Sequence, residues 1–196
     1  MNKTNAIRTF ICIELPEGIR GRIEVLQDRL KRVNADVTWV QPGKIHFTLK
    51  FLGDVPLLKI TSVCSAVENA VHAEQVFPVE VGGTGCFPSA QNPKVLWVGI
   101  TCPSGKLKQL QTHIENGLEA IGFAKERRLF SPHLTLGRVR SRLNAKKLVD
   151  ELNEAGFEKL SFEVTKIVVM RSDLKATGAV YTPLAAIPLV RDEPRN

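Results

Sequence analysis

The sequence is poor in the residues that mark several common chemistries. Cysteine occurs four times in 196 residues, at Cys12, Cys64, Cys86 and Cys102. None form a CxxC pair and none sit in a His–Cys cluster at zinc-ligand spacing, which excludes a zinc ribbon and predicts reduced, mostly buried thiols. No apolar run approaches the length of a membrane span. The first one, Phe10–Ile13, is short and runs straight into Glu14, unlike a secretory leader. These absences lead to the expectation of a cytoplasmic protein without a membrane anchor. The glycine cluster GGTG at Gly82–Gly85 lacks the spacing and the Lys-Ser/Thr of a phosphate-binding P-loop and reads as a strand end or bulge. No linker-like stretch divides the chain, so residues 1–196 are expected to form a single domain with a frayed tail from about 191 to 196.

What is present is ordinary for a globular protein: 43% of residues are hydrophobic, enough to bury a core. The formal net charge of +7 favours a polyanionic partner such as nucleic acid or a phosphorylated substrate. Strands and helices alternate along the chain. AIRTFICIEL reads as a strand stopped by Pro16, and Ile19, Ile23, Leu26, Leu30 and Val33 then recur at helical spacing. DVTWV and KIHFTLKFLGDV read as strands joined by a QPG turn, followed by a helix over PLLKITSVCSAVENAVHA. FPVEVGGTGCFPS and PKVLWVGIT are two more strands. The second half repeats the outline. It has a helix with Leu107, Leu110, Ile114, Leu118 and Ile121 on one face, a strand at HLTLGRVR, and a short helix with Asn144 as its N-cap. A long strand region FEKLSFEVTKIVVMRSDL and a closing strand TGAVYTPLAAIPLV end the outline. Because the strands come partly in hairpin-like pairs, the expected class is α+β. It is bilobal: two similar lobes, each an antiparallel sheet with helices outside, flank a central cleft.

Only four histidines occur, and two of them open the same tetrapeptide: KIHFTLKFLG at Lys44–Gly53 and SPHLTLGRVR at Ser131–Arg140. Strand alternation sends Ile45, Phe47, Leu49 and Phe51 to one face and His46, Thr48 and Lys50 to the other. In the second copy Leu134 and Leu136 point to the core while His133 and Thr135 point away together. One copy is explained by a half-exposed strand histidine beside a β-branched neighbour. Two copies, in opposite halves, call for a common cause. Two histidines titrating near neutrality can act as a base and an acid on opposite sides of a phosphorus centre, and two hydroxyls can donate to its non-bridging oxygens. His72 and His113 lie in helical stretches without partners at ligand spacing and are expected at the surface or at helix ends. Trp39 and Trp97 are expected to pack.

At these residues the chain resembles the two-histidine phosphoesterase superfamily, and within it the RNA 2′,3′-cyclic phosphodiesterases once called 2′-5′ RNA ligases. RTFICIELP, VTWVQPGKIHFTLKFLGDV, GTGCFPSAQNPKVLWVGI and FSPHLTLGRVR are each similar to a family block, so the resemblance spans nearly the whole chain. In SAQNPK, where the family is richer in arginine, Lys94 is the only charge. The resemblance implies metal-independent hydrolysis of RNA 2′,3′-cyclic phosphodiester ends to a 2′-phosphomonoester, with no cofactor. It implies His46 as proton donor, His133 as proton acceptor, and Thr48 and Thr135 as the phosphate-binding hydroxyls. Phe10 matches a family aromatic on the base-binding side. Arg138 matches a basic residue near the phosphate, although strict alternation puts it on the face opposite His133 unless a bulge near Gly137 brings it round. The implied partner is RNA with a 2′,3′-cyclic phosphate end, or a small cyclic-phosphate nucleotide, acted on by a monomer with no obligate protein partner. Three alternatives stay open: 2′-5′ ligation in the same site, a non-catalytic RNA- or nucleotide-binding module, and a metallohydrolase using His46 and His133 as ligands.

Overall fold

The computed structural model describes residues 5–176 and 178–191, so most of the expected tail lies outside the described residues. Nine strands and four α-helices follow in the order β1 (Ala6–Glu14), α1 (Glu17–Lys31), β2 (Val37–Trp39), β3 (His46–Pro56), α2 (Ile60–Val71), β4 (Phe77–Phe87), β5 (Val95–Thr101), α3 (Lys106–Glu119), β6 (His133–Val139), α4 (Ala145–Ala155), β7 (Leu160–Val164), β8 (Lys166–Lys175) and β9 (Gly178–Pro188). Single 3₁₀ turns at Pro42–Lys44 and Leu57–Lys59 precede β3 and α2. The first is the expected QPG turn.

The strands form two antiparallel sheets, one in the order β3-β1-β8-β9 and the other β2-β6-β5-β4-β7. Helices α2 and α3 pack together and against the first sheet. Helices α1 and α4 pack together and reach the second. One face of each amphipathic helix supplies the core: Ile19, Ile23, Leu26 and Leu30 from α1, and Leu107, Leu110, Ile114 and Leu118 from α3. The sheets meet where β3 and β6, the two motif strands, come into contact. The α+β class and the two sheets with outer helices agree with the sequence.

The lobes do not coincide with the two halves of the sequence. The first sheet takes β1 and β3 from the N-terminal half and β8 and β9 from the C-terminal end, while β2 and β4 join the second. The long strand region before residue 175 is two strands that part at Thr165. β7 is an edge of one sheet, and β8 pairs with β1 in the middle of the other. Asn144 does precede α4, but at φ 53° and without a capping bond. Its amide instead donates to the Val33 and Asn34 carbonyls after α1, so it ties two helices rather than capping one. The GGTG segment lies within β4 and carries a bulge between Gly82 and Thr84.

A candidate active site between two motif strands

The motif strands break strict alternation at the same place. Along β6, Gly99 pairs with His133 and Trp97 with Thr135, but the next partners are Leu96 with Gly137 and Val95 with Arg138. Leu136 is therefore an inserted residue. Leu136 and Gly137 both go inward, and Arg138 turns to the face that holds His133 and Thr135. The bulge that Arg138 required is present. Its packing explains the glycine: a Cβ on Gly137 would come within 2.7 Å of Val37 and 3.0 Å of Trp39. The Leu136 carbonyl accepts from the Val40 amide at 2.9 Å and from Gln27 Nε2 at 2.8 Å. Gln27 is a fully buried residue of α1 that also donates to the Val40 carbonyl.

The first motif has the same irregularity, which corrects the alternation expected for it. Cys12 of β1 pairs with Thr48, but Ile11 pairs with Lys50 and Phe10 with Phe51, leaving Leu49 inserted. Lys50 therefore points into the core rather than into the cleft with His46. It is 5% exposed, pairs with Glu115 of α3 and donates to the Ala124 carbonyl at 2.8 Å. Phe51, expected inside, is 61% exposed on the His46 face. Each motif thus presents three side chains to the cleft: His46, Thr48 and Phe51 on one wall, and His133, Thr135 and Arg138 on the other.

Both histidines are held the same way. His46 Nδ1 donates to the Lys44 carbonyl at 2.9 Å, and His133 Nδ1 donates to the Ser131 carbonyl at 2.7 Å. In each case the acceptor lies two residues upstream on the same strand entry. The bond fixes the ring orientation and leaves Nε2 as the nitrogen that can take or give a proton.

The surroundings differ. His46 stacks on Phe10 with ring centroids 4.6 Å apart and meets Tyr181 edge-on at 5.1 Å. Phe10, Cys12, Val168 and Met170 form a buried apolar floor beneath it, with Tyr181 packed against them. Burial lowers the His46 pKa, opposed by its bond to the Lys44 carbonyl and by Glu14. Burial also pushes the Cys12 thiol in this floor up to about 12, so it stays protonated. Phe10 is only 2% exposed. It therefore supports His46 from below and offers little surface to a ligand. His133 meets Phe87 edge-on at 5.1 Å, and Phe87 lies 5.3 Å from Trp97. Trp97 does pack, as expected, its indole lying across Gly85, where a Cβ would come within 2.3 Å of the ring. It does so on the cleft face beside Thr135.

Tyr181, the chain's one tyrosine, was not singled out by the sequence. Burial raises its phenol pKa, and the positive charges of Arg138 and Arg8 partly offset this. Arg138, on the second sheet, is thus close enough to act on a side chain of the first. His72 and His113 lie apart from the site: His72 Nδ1 donates to the Asn69 carbonyl at the end of α2, and His113 pairs with Glu74. Among the described residues no three His, Cys, Asp or Glu side chains gather as metal ligands would, and no helix is long and apolar enough to cross a membrane.

Two antiparallel sheets that each offer a strand histidine and threonine to a shared cleft define a two-lobed fold with duplicated motifs. Residues 16–176 match the family model of the 2′-5′ RNA ligase superfamily, and the chain belongs to that family. It is similar to the RNA 2′,3′-cyclic phosphodiesterase of Methanothermobacter thermautotrophicus, with 33% identity over 93% of this chain and 99% of the relative. It is also similar to the protein of the same name from Thermotoga maritima, with 30% identity over 91% of this chain and 93% of the relative. Among solved structures, TT0787 of Thermus thermophilus superposes with a TM-score of 0.77 at 24% identity, covering 95% of this chain and all of that one. Escherichia coli LigT complexed with 3′-AMP gives 0.76 at 23% identity, covering 94% of this chain and 98% of that one. These two likenesses concern the fold.

Proposed function

We propose that the protein opens the 2′,3′-cyclic phosphodiester at RNA ends to a 2′-phosphomonoester by paired histidine acid–base catalysis, without a metal. The carrying observation is the matched pair of Nδ1–carbonyl bonds on β3 and β6, strands of different sheets that lie in contact, which leaves two Nε2 atoms free for proton transfer. The enzyme class, cyclic phosphodiesterase, rests on the family and on relatives of that name that align over nearly their full length.

In the proposed step, His133 Nε2 takes a proton from water as the water oxygen bonds to phosphorus. The bond from phosphorus to the 3′ oxygen breaks, and protonated His46 Nε2 delivers its proton to that oxygen. The phosphate stays on the 2′ oxygen, and solvent returns each histidine to its starting state. Thr48 and Thr135 donate to the non-bridging oxygens, and Arg138 adds positive charge where negative charge builds up. Burial of His46 disfavours its protonated form in the free enzyme, whereas a bound phosphate anion favours it. The partner is RNA bearing a cyclic phosphate end, drawn by the net charge of +7. Water, in vast excess over any RNA 5′-hydroxyl, favours hydrolysis over 2′-5′ joining. A cytoplasmic monomer with no obligate protein partner suits this reading.

The test is cleavage of a short RNA ending in a 2′,3′-cyclic phosphate, run in excess EDTA, with the position of the product phosphate identified. Wild type is expected to yield only the 2′-phosphate. His46→Ala and His133→Ala should each lose about 10²–10⁴-fold in kcat. The alkaline limb of kcat/KM should lie at lower pH than that of kcat, because substrate restores the His46 proton. Activity that vanishes with chelator, or that survives loss of either histidine, would contradict the mechanism.

A further inference from the structure

We propose that Arg140 holds the phosphate on the 5′ oxygen of the terminal nucleotide, and so sets the preference of the site for an RNA end over a lone nucleoside cyclic phosphate. This rests on the functional reading above. The second motif strand does not stop presenting positive charge at Arg138. The sequence Arg138-Val139-Arg140 runs off the end of β6, with Val139 buried and an arginine on either side of it. Thr38 of β2 lies directly opposite Arg138 in the sheet and therefore shares its face. Arg140 Nε donates to the Oγ1 of that threonine at 2.8 Å. The Arg140 side chain is thus laid over β2 on the face that carries His133, Thr135 and Arg138.

This is a held guanidinium, unlike a solvated surface charge. The backbone that carries it is tied to the sheet on both sides: the Val139 amide donates to the Lys94 carbonyl at 3.0 Å and the Arg140 amide to the Asp36 carbonyl at 2.8 Å. The side chain bonds to Thr38 and makes no ion pair, with Asp36 or any other carboxylate, among the described residues. With Nε engaged, the two terminal nitrogens offer a fork that fits two oxygens of one phosphate. The bond to Thr38 restricts the side chain before a ligand arrives, so less rotamer freedom is lost on binding. Arginines two residues apart along a strand present their charges about 7 Å apart, close to the step between successive phosphates of a single nucleic acid strand. With the cyclic phosphate at Thr48, Thr135 and Arg138, the next phosphate of the chain, on the 5′ oxygen of the same ribose, falls to Arg140. A nucleoside cyclic phosphate has no phosphate there and leaves the guanidinium unpaired.

The experiment compares wild type, Arg140→Ala and Arg140→Lys on three substrates: adenosine 2′,3′-cyclic phosphate, the dinucleotide ApA ending in a 2′,3′-cyclic phosphate, and the same dinucleotide with a neutral methylphosphonate in place of its internucleotide phosphate. Wild type should show a lower KM for the natural dinucleotide than for the other two. Arg140→Ala should raise KM for the natural dinucleotide by about 10- to 150-fold with kcat kept, and should abolish its advantage over the methylphosphonate. Arg140→Lys, which keeps the charge and loses the fork, should recover part of that advantage. A rise in KM of the same size on adenosine 2′,3′-cyclic phosphate or on the methylphosphonate, or no rise on the natural dinucleotide, overturns the contact. Calorimetry with ApA bearing a terminal 2′-phosphate, and with adenosine 2′-monophosphate, separates this inference from the proposed reaction. If wild type cleaves none of the three substrates but Arg140→Ala weakens binding of the dinucleotide and not of the mononucleotide, the reaction fails and the contact stands. Equal weakening of both, equal binding by wild type and Arg140→Ala, or no binding by wild type, overturns the contact.

Discussion

His46 is the residue whose surroundings change its chemistry most directly. Stacked on Phe10 and flanked by Tyr181, it carries its proton less readily than an ordinary histidine, whose value is 6.5. The sign of the effect on stability follows. Above the unfolded value neither state holds the proton and the group contributes nothing. As pH falls below 6.5 the unfolded chain binds a proton that the folded chain still resists, so folding loses stability until pH passes the lowered folded value. His46→Asn removes this penalty. Urea midpoints for wild type and variant should keep a constant difference above pH 7. Below pH 6.5 wild type should fall relative to the variant. A difference that does not change with pH would mean the ring is no harder to protonate in the fold than outside it.

At the scale of the element, the decisive device is the paired bulge. His46, Thr48, His133 and Thr135 were legible because alternation holds up to the leucine of each motif. Beyond that leucine it fails, since an inserted residue reverses the side chains that follow, in β3 until a second insertion at Leu52 restores the phase. That is why Lys50 and Phe51 were exchanged between core and cleft. Nothing in Leu49-Lys50 announces a bulge, but Gly137 in the second copy does. Aligning the two motifs would have carried that hint back to Phe51. Tyr181 was illegible for another reason: β9 reaches His46 only because the last two strands cross back to the first sheet. Gln27 holds the second bulge through the Leu136 carbonyl, so its role should appear as coupling. Gln27→Leu should lower kcat/KM when Arg138 is present and have much less effect in an Arg138→Ala background, because both changes withdraw the same guanidinium. Additive losses in this double-mutant cycle would leave Gln27 with a purely structural role. Its own stability cost should be about 0.5–1.5 kcal/mol per lost bond, because the Leu136 carbonyl keeps its bond from the Val40 amide.

At the scale of the whole molecule, the first sheet is assembled from both ends of the described chain, and the strands of the second lie between them in sequence, with β2 preceding β3. Neither lobe can unfold without withdrawing strands from a segment that also serves the other. Heat should therefore melt the protein in one transition, with calorimetric and van't Hoff enthalpies in agreement. Two resolved transitions would mean that the lobes are energetically separate despite the interleaving of their strands along the chain.

The same interleaving orders events during synthesis. A ribosome delivers β1 and β3, with His46, early, whereas Val168, Met170 and Tyr181, the floor and flank of that histidine, come from the last two strands. Until these emerge, β1 has no neighbour on its β8 side and the first wall of the cleft is unfinished. His46 thus gains its floor and its flanking tyrosine only after β8 and β9 have been made.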